Sequence, residues 1–178
     1  MTQPQQAQES ATTAYTVTAR DLQATVIAAV YFFFVLGSYY IVRPVREQLG
    51  AAAGGSDVLP WLWTGTFIAT VVLTPFYGAI VARFPRRIFI PIAYAFFAIG
   101  MIAFSTIAPS EHPATWMAVA FYIWVSVFNL FVVAVFWSFM ADIFTDEQAR
   151  RLFGPIGIGG TLGAIAGPAA AKLLVGDI

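Results

Sequence analysis

Two arginines stand where the first long apolar run closes, in the stretch SYYIVRPVREQL at residues 38–49. On a helix, Tyr39, Arg43 and Arg46 fall at i, i+4 and i+7, which is one face. A guanidinium presents a rigid fork of donors that matches carboxylate or phosphate oxygens, so two on one face form a clamp for an anion. Pro44 disfavours helical geometry at the residue before it. The spacing therefore predicts a break at Arg43, which would free backbone groups to line a cavity. A competing reading pairs Arg43 with Glu47 at i+4 and lets Arg46 snorkel to a membrane interface.

Two further polar stripes lie on apolar backgrounds. Thr66, Thr70, Thr74 and Tyr77 recur at i, i+4, i+8 and i+11, beside Pro75, which predicts a kink. They line a water-filled path, or their hydroxyls bond carbonyls one turn back and the helix is self-sufficient. Tyr122, Ser126 and Asn129 recur at i, i+4 and i+7, either facing a cavity or holding two helices together. The segment GPIGIGGTLGAIAGP at residues 154–168 has the look of a phosphate loop. It lacks the Lys-Ser/Thr ending and a preceding strand. Its Gly159, Gly163 and Gly167, at i, i+4 and i+8, instead make a flat strip for helix packing.

The elements that must position these groups follow from composition. The chain has 178 residues, 60% hydrophobic and only 10% charged. A soluble domain carries roughly 25% charged residues, so lipid must be the outer solvent here. Charge-free intervals cover 22–42, 58–82, 88–110, 113–141 and 152–171, the last prolonged as a span to about 174. Each is near or above the ~20 residues that cross a ~30 Å hydrocarbon core. Backbone amides in lipid must pair within their segment, so these are helices. The expected class is an all-α membrane protein with five transmembrane helices.

Residues 1–20 are rich in Gln, Thr and Ala and lack the apolar core of a secretory signal, which reads as a disordered tail. With that tail inside, Arg20, Arg83, Arg86, Arg87, Arg150 and Arg151 face the cytoplasm, against Arg43, Arg46 and Lys172 outside. The excess predicts a cytoplasmic N-terminus in the cell (inner) membrane. Trp137 falls near the inner interface. Asp142, Asp146 and Glu147, with Arg150 and Arg151, read as a charged inner loop.

Nine basic and nine acidic residues cancel, which gives no attraction to nucleic acid. There is no Cys, and the lone His112 offers no metal or catalytic cluster. No metal, cofactor or catalytic residue is called for.

Resemblance sharpens the reading. GAIVARFPRR, residues 78–87, resembles at the same spacing the cytoplasmic loop signature of the major facilitator superfamily, Gly-x-x-x-Asp-Arg-x-Gly-Arg-Arg. Gly78, Arg83, Arg86 and Arg87 match, whereas Ala82 and Pro85 replace the acid and the second glycine. The resemblance implies a loop that holds one conformational state. Gly154, Gly163, Gly167 and Pro168 resemble in part that superfamily's fifth-span antiporter motif. YYIVRPVREQL and VFWSFMADIFTDEQARRLFGPIGIGG resemble the first-span ending, and the passage from fourth to fifth span, of the nucleotide (ATP/ADP) translocase family. Val125 stands where that family's nucleotide carriers have glutamate.

The resemblance spans about residues 25–170 and implies the N-terminal bundle of a larger carrier, its sixth helix absent. A C-terminal half or a second copy would complete the cavity. The implied function is alternating-access transport of a small organic or phosphorylated anion, nucleotide exchange among the options. Arg46 leads as the anion contact, then Arg43, with Tyr39, Thr66, Thr70, Ser126 and Asn129 as further lining residues. Two rivals compete: a degenerate or accessory membrane protein without transport, and a membrane enzyme. No spaced intramembrane carboxylates, Cys or His pair support the enzyme.

Overall fold

The computed structural model describes residues 18–107 and 114–175. Most of the expected tail, at 1–17, and His112 lie outside the described residues. The described chain forms five long helices: α1 (Ala19–Ala52), α2 (Leu59–Arg83), α3 (Arg86–Ile107), α4 (Thr115–Ile143) and α5 (Asp146–Val175). A short 3-10 turn, Gly55–Asp57, joins α1 to α2. Each helix is long and apolar enough to cross a membrane, and the architecture is all-α.

Three boundaries differ from expectation. The sequence predicts a disordered tail to residue 20, but Thr18 caps α1 and the helix begins at Ala19. The Thr18 and Asp21 side chains each accept from the other's backbone N–H, satisfying two donors that a helix start otherwise leaves unmade. The predicted break at Arg43 is absent. α1 runs on through Pro44 to Ala52, although proline there removes one donor from the helical ladder. Packing holds those last turns: Gly50 is buried so tightly that a Cβ would meet the Tyr122 ring of α4 at 2.8 Å. The charged inner loop also contracts. Asp146, Glu147, Arg150 and Arg151 lie within α5, where the two acids in its first turn complement the positive end of the helix dipole. α2 likewise continues through Pro75.

α1 makes its most extensive contact with α5, and α4 touches α1, α2 and α3. The α1–α5 seam is set by glycine. A Cβ at Gly159 would strike the backbone of Ala29, one at Gly163 the carbonyl of Phe33, and one at Gly167 the Gly37 carbonyl oxygen at 2.7 Å. Gly37 itself lies against Gly163. Without a hydrophobic force between helices in lipid, such close backbone approach supplies the packing energy.

The α1–α4 seam is aromatic. Phe136 is fully buried and stacks on Phe32 with ring centroids 4.3 Å apart. Tyr31 and Trp137 meet Phe136 edge-on, and Leu152 and Ile156 of α5 close the cluster. By contrast, α2 and α3 turn Trp61, Phe67, Phe76, Ile92 and Phe96 outward.

Candidate functional site

The site begins with Arg46 on the far part of α1. Its side chain is only 12% exposed. Nη1 donates to Ser126 Oγ of α4 at 3.0 Å, and the guanidinium carbon lies 4.8 Å from the centroid of the Tyr122 ring. Ser126 in turn donates to the Tyr122 carbonyl at 2.7 Å, which fixes the hydroxyl that receives Arg46. Arg46 Nε is buried and has no hydrogen-bond partner.

The partner on α4 lies well inside that helix. Ser126 is about 17 Å from the start of a helix about 43 Å long, at 1.5 Å per residue. The guanidinium thus turns inward onto α4, where only 12% of the side chain is exposed. Ionisable groups so placed are costly and mark pathways or binding sites by default.

Arg43 takes a different position. Its side chain is 48% exposed, and its guanidinium carbon lies 5.3 Å from the Tyr40 ring centroid. Glu47 links the two arginines: Oε1 is 4.0 Å from Arg43 Nε and also accepts from Arg46 Nη2. The pair thus encloses a carboxylate, one supplied by its own helix. Glu47 is 44% exposed and can move away.

Tyr39 is buried with Phe121 and Val125 in a small apolar cluster at the same seam. Val125 has no exposure, so the position where the resembling nucleotide carriers hold a glutamate is here packed hydrocarbon. Asn129 is half-buried and makes no hydrogen bond among the described residues, so it does not pin two helices together.

The threonine stripe of α2 divides. Thr74 bonds back to the Thr70 carbonyl at 2.7 Å, whereas Thr66 Oγ1 is buried without a partner. Neither Thr66 nor Thr70 lines the cavity of about 590 Å³ among α2, α3 and α4, whereas Tyr77 of that stripe does. Gly78, Arg83 and Arg87 are exposed around the turn from α2 to α3, where Arg86 opens α3. Structure thus gathers Arg46, Arg43, Glu47, Tyr122 and Ser126, sets Tyr39 beside them, and leaves Thr66, Thr70 and the loop arginines elsewhere.

Two polar links were not anticipated. Tyr31 of α1 and Tyr94 of α3 bring their hydroxyls within 2.8 Å. Gln148 of α5 donates through Nε2 to Asp21 Oδ1 of α1 at 2.8 Å, while its Oε1 accepts from Thr145 N at 2.9 Å. The second link had a readable signal, since Thr18-x-x-Asp21 and Thr145-x-x-Gln148 are both capping-box spacings. The tyrosine pair had none, because each sits singly in an apolar run.

Comparison with curated proteins and with solved structures gives no significant match. Residues 24–178, by contrast, match the family model of the Major Facilitator Superfamily, which agrees with five long apolar helices and the loop at 78–87. The chain belongs to the Major Facilitator Superfamily of membrane transporters.

Proposed function

We propose that this chain supplies the anion-contacting bundle of a secondary transporter, and that Arg46 is the group that holds the anion. One observation carries the reading: a guanidinium buried between α1 and α4 has one N–H unpartnered and one shared with a movable carboxylate. An incoming phosphate or carboxylate would replace Glu47 on Arg46 and meet Arg43 as the second, outer contact. Ser126 and Tyr122 hold the guanidinium plane in place, and Asn129, one turn along α4, offers an uncommitted amide. Tyr39, Thr66 and Thr70 are lesser lining groups on this reading. An organic or phosphorylated anion suits the paired guanidiniums, with nucleotide exchange the finer version that the first-span resemblance supports. The packed Val125 argues for a different anion from that of the resembling nucleotide carriers.

Alternating access assigns Gly78, Arg83, Arg86 and Arg87 to the state-holding turn, in a cell-membrane protein with its N-terminus in the cytoplasm. A second reading rests on Glu47: because that carboxylate already neutralises Arg46, the cluster is a structural tie in a protein without transport. Uptake of a panel of radiolabelled anions into proteoliposomes separates the two. For the anion transported, Arg46→Ala is expected to cut uptake roughly 10- to 100-fold, the worth of a hydrogen bond to a charged group, and Arg46→Lys less. Equal uptake by both variants and the parent, at matched protein levels, overturns the anion clamp.

A further inference from the structure

The described cavity of about 590 Å³ lies among α2, α3 and α4, away from the Arg46 cluster and separated from it by α4. Its walls are side chains such as Leu73, Phe76, Ile80, Phe89, Ile92 and Phe96, with almost no polar surface. Phe76, Ile92 and Phe96 are largely exposed, so the cavity communicates with whatever surrounds the helices. Around five membrane-crossing helices that medium is hydrocarbon. An apolar solute, rather than water, fits such a space, because water needs polar partners.

Two further observations identify the solute. Along α2 the lining runs from Ala69 to Ile80, about 17 Å at roughly 1.5 Å per residue. That is close to half of a ~30 Å hydrocarbon core, the depth of one leaflet. At the end of this path stands the α2–α3 turn. Ile80 is less than one helical turn before Arg83, and Phe89 follows Arg87 by two positions. Arg83 and Arg87 are exposed, and neither has an ion-pair partner among the described residues. An apolar trough one leaflet deep, ending at uncompensated guanidiniums, has the shape and charge order of a single phospholipid.

We infer that this cleft is a binding site for one anionic phospholipid, its acyl chain between α2, α3 and α4 and its phosphate on Arg83 and Arg87. The site is independent of the Arg46 cluster. Its occupant would brace α3 against α2, two helices whose direct contact is sparse. It would also lie beside the last turns of α2, which carry Gly78 and Arg83.

The protein as it stands is tested in nanodiscs of equal phosphatidylglycerol and phosphatidylcholine. Native mass spectrometry then reads the lipid that remains after detergent stripping. Retention of phosphatidylglycerol over phosphatidylcholine is expected, falling about fivefold for each of Arg83→Ser and Arg87→Ser. Ala93→Phe, which fills the trough without touching an arginine, is expected to lower retention of both lipids. A phosphatidylglycerol carrying a photoreactive group on its acyl chain should label residues 73–80 and 89–97. Equal retention of the two lipids, indifference to all three substitutions, or labelling spread over the outer face around Trp61 and Phe67 overturns the inference. Retention without acyl-chain labelling in the trough does so too, since it means that another segment fills the space.

Discussion

Gln148 Nε2 on α5 reaches Asp21 Oδ1 on α1 across 2.8 Å, and so ties the caps of two helices that begin on the same side of the bundle. Each residue is already half of its own capping box, with Thr18 for Asp21 and with Thr145 for Gln148. The Asp21 side chain is buried, so the amide donor compensates a carboxylate that water reaches poorly. Gln148→Leu is expected to remove about 2 kcal/mol of stability, the range for a hydrogen bond to a charged group. Gln148→Glu should cost more, by setting two carboxylates together. Thermal unfolding in detergent checks both, and parent-like melting of the Glu variant contradicts the geometry.

Glycines on α5 give a contrast within one helix. Gly163 lies under the Phe33 carbonyl, whereas a Cβ at Gly157 meets nothing within 4 Å. Gly163→Ala must push α1 away and is expected to cost about 1–3 kcal/mol through overpacking. Gly157→Ala should leave stability unchanged or raise it by up to about 1 kcal/mol, through the higher helix propensity of alanine. Comparing melting of the two purified variants distinguishes local crowding from general glycine loss.

Glu47 competes with any external anion for Arg46. Replacing it by Gln removes the competing charge but keeps the side-chain shape. The pair involves a group 44% exposed, so its worth is within about 1 kcal/mol. On the anion-clamp reading, Glu47→Gln should bind the transported anion up to about fivefold more tightly, read as a lower half-saturation concentration for uptake. A weaker interaction in this variant would assign Glu47 a supporting role instead.

The Tyr31–Tyr94 hydroxyl pair is a polar bridge from α1 to α3 in an aromatic environment. Tyr94→Phe is expected to cost about 0.6 kcal/mol, typical of hydrogen bonds between membrane helices. Tyr31→Phe should cost a similar amount, and the double variant little more than either alone. Additive losses in that cycle would mean the two hydroxyls do not act on one another.

Composition and charge spacing were enough to determine the class of this protein. Sparse charge dictates a lipid solvent, and lipid dictates helices, because no backbone amide can be left unpaired there. Spans were legible for the same reason, and the glycine strip for its period of four. Helix ends were not. Local preference puts a break at Arg43, but Gly50 against Tyr122 and Leu62 carries α1 onward, and such a contact between distant segments leaves no mark on the sequence near Pro44. The two arginines look equivalent as i and i+3 on one helix. Only the arrival of α4 distinguishes them, by burying Arg46 against Ser126 and Tyr122 while Arg43 stays half-exposed over Tyr40. Helix periodicity fixes which residues share a face, but the packing of helices decides what that face meets.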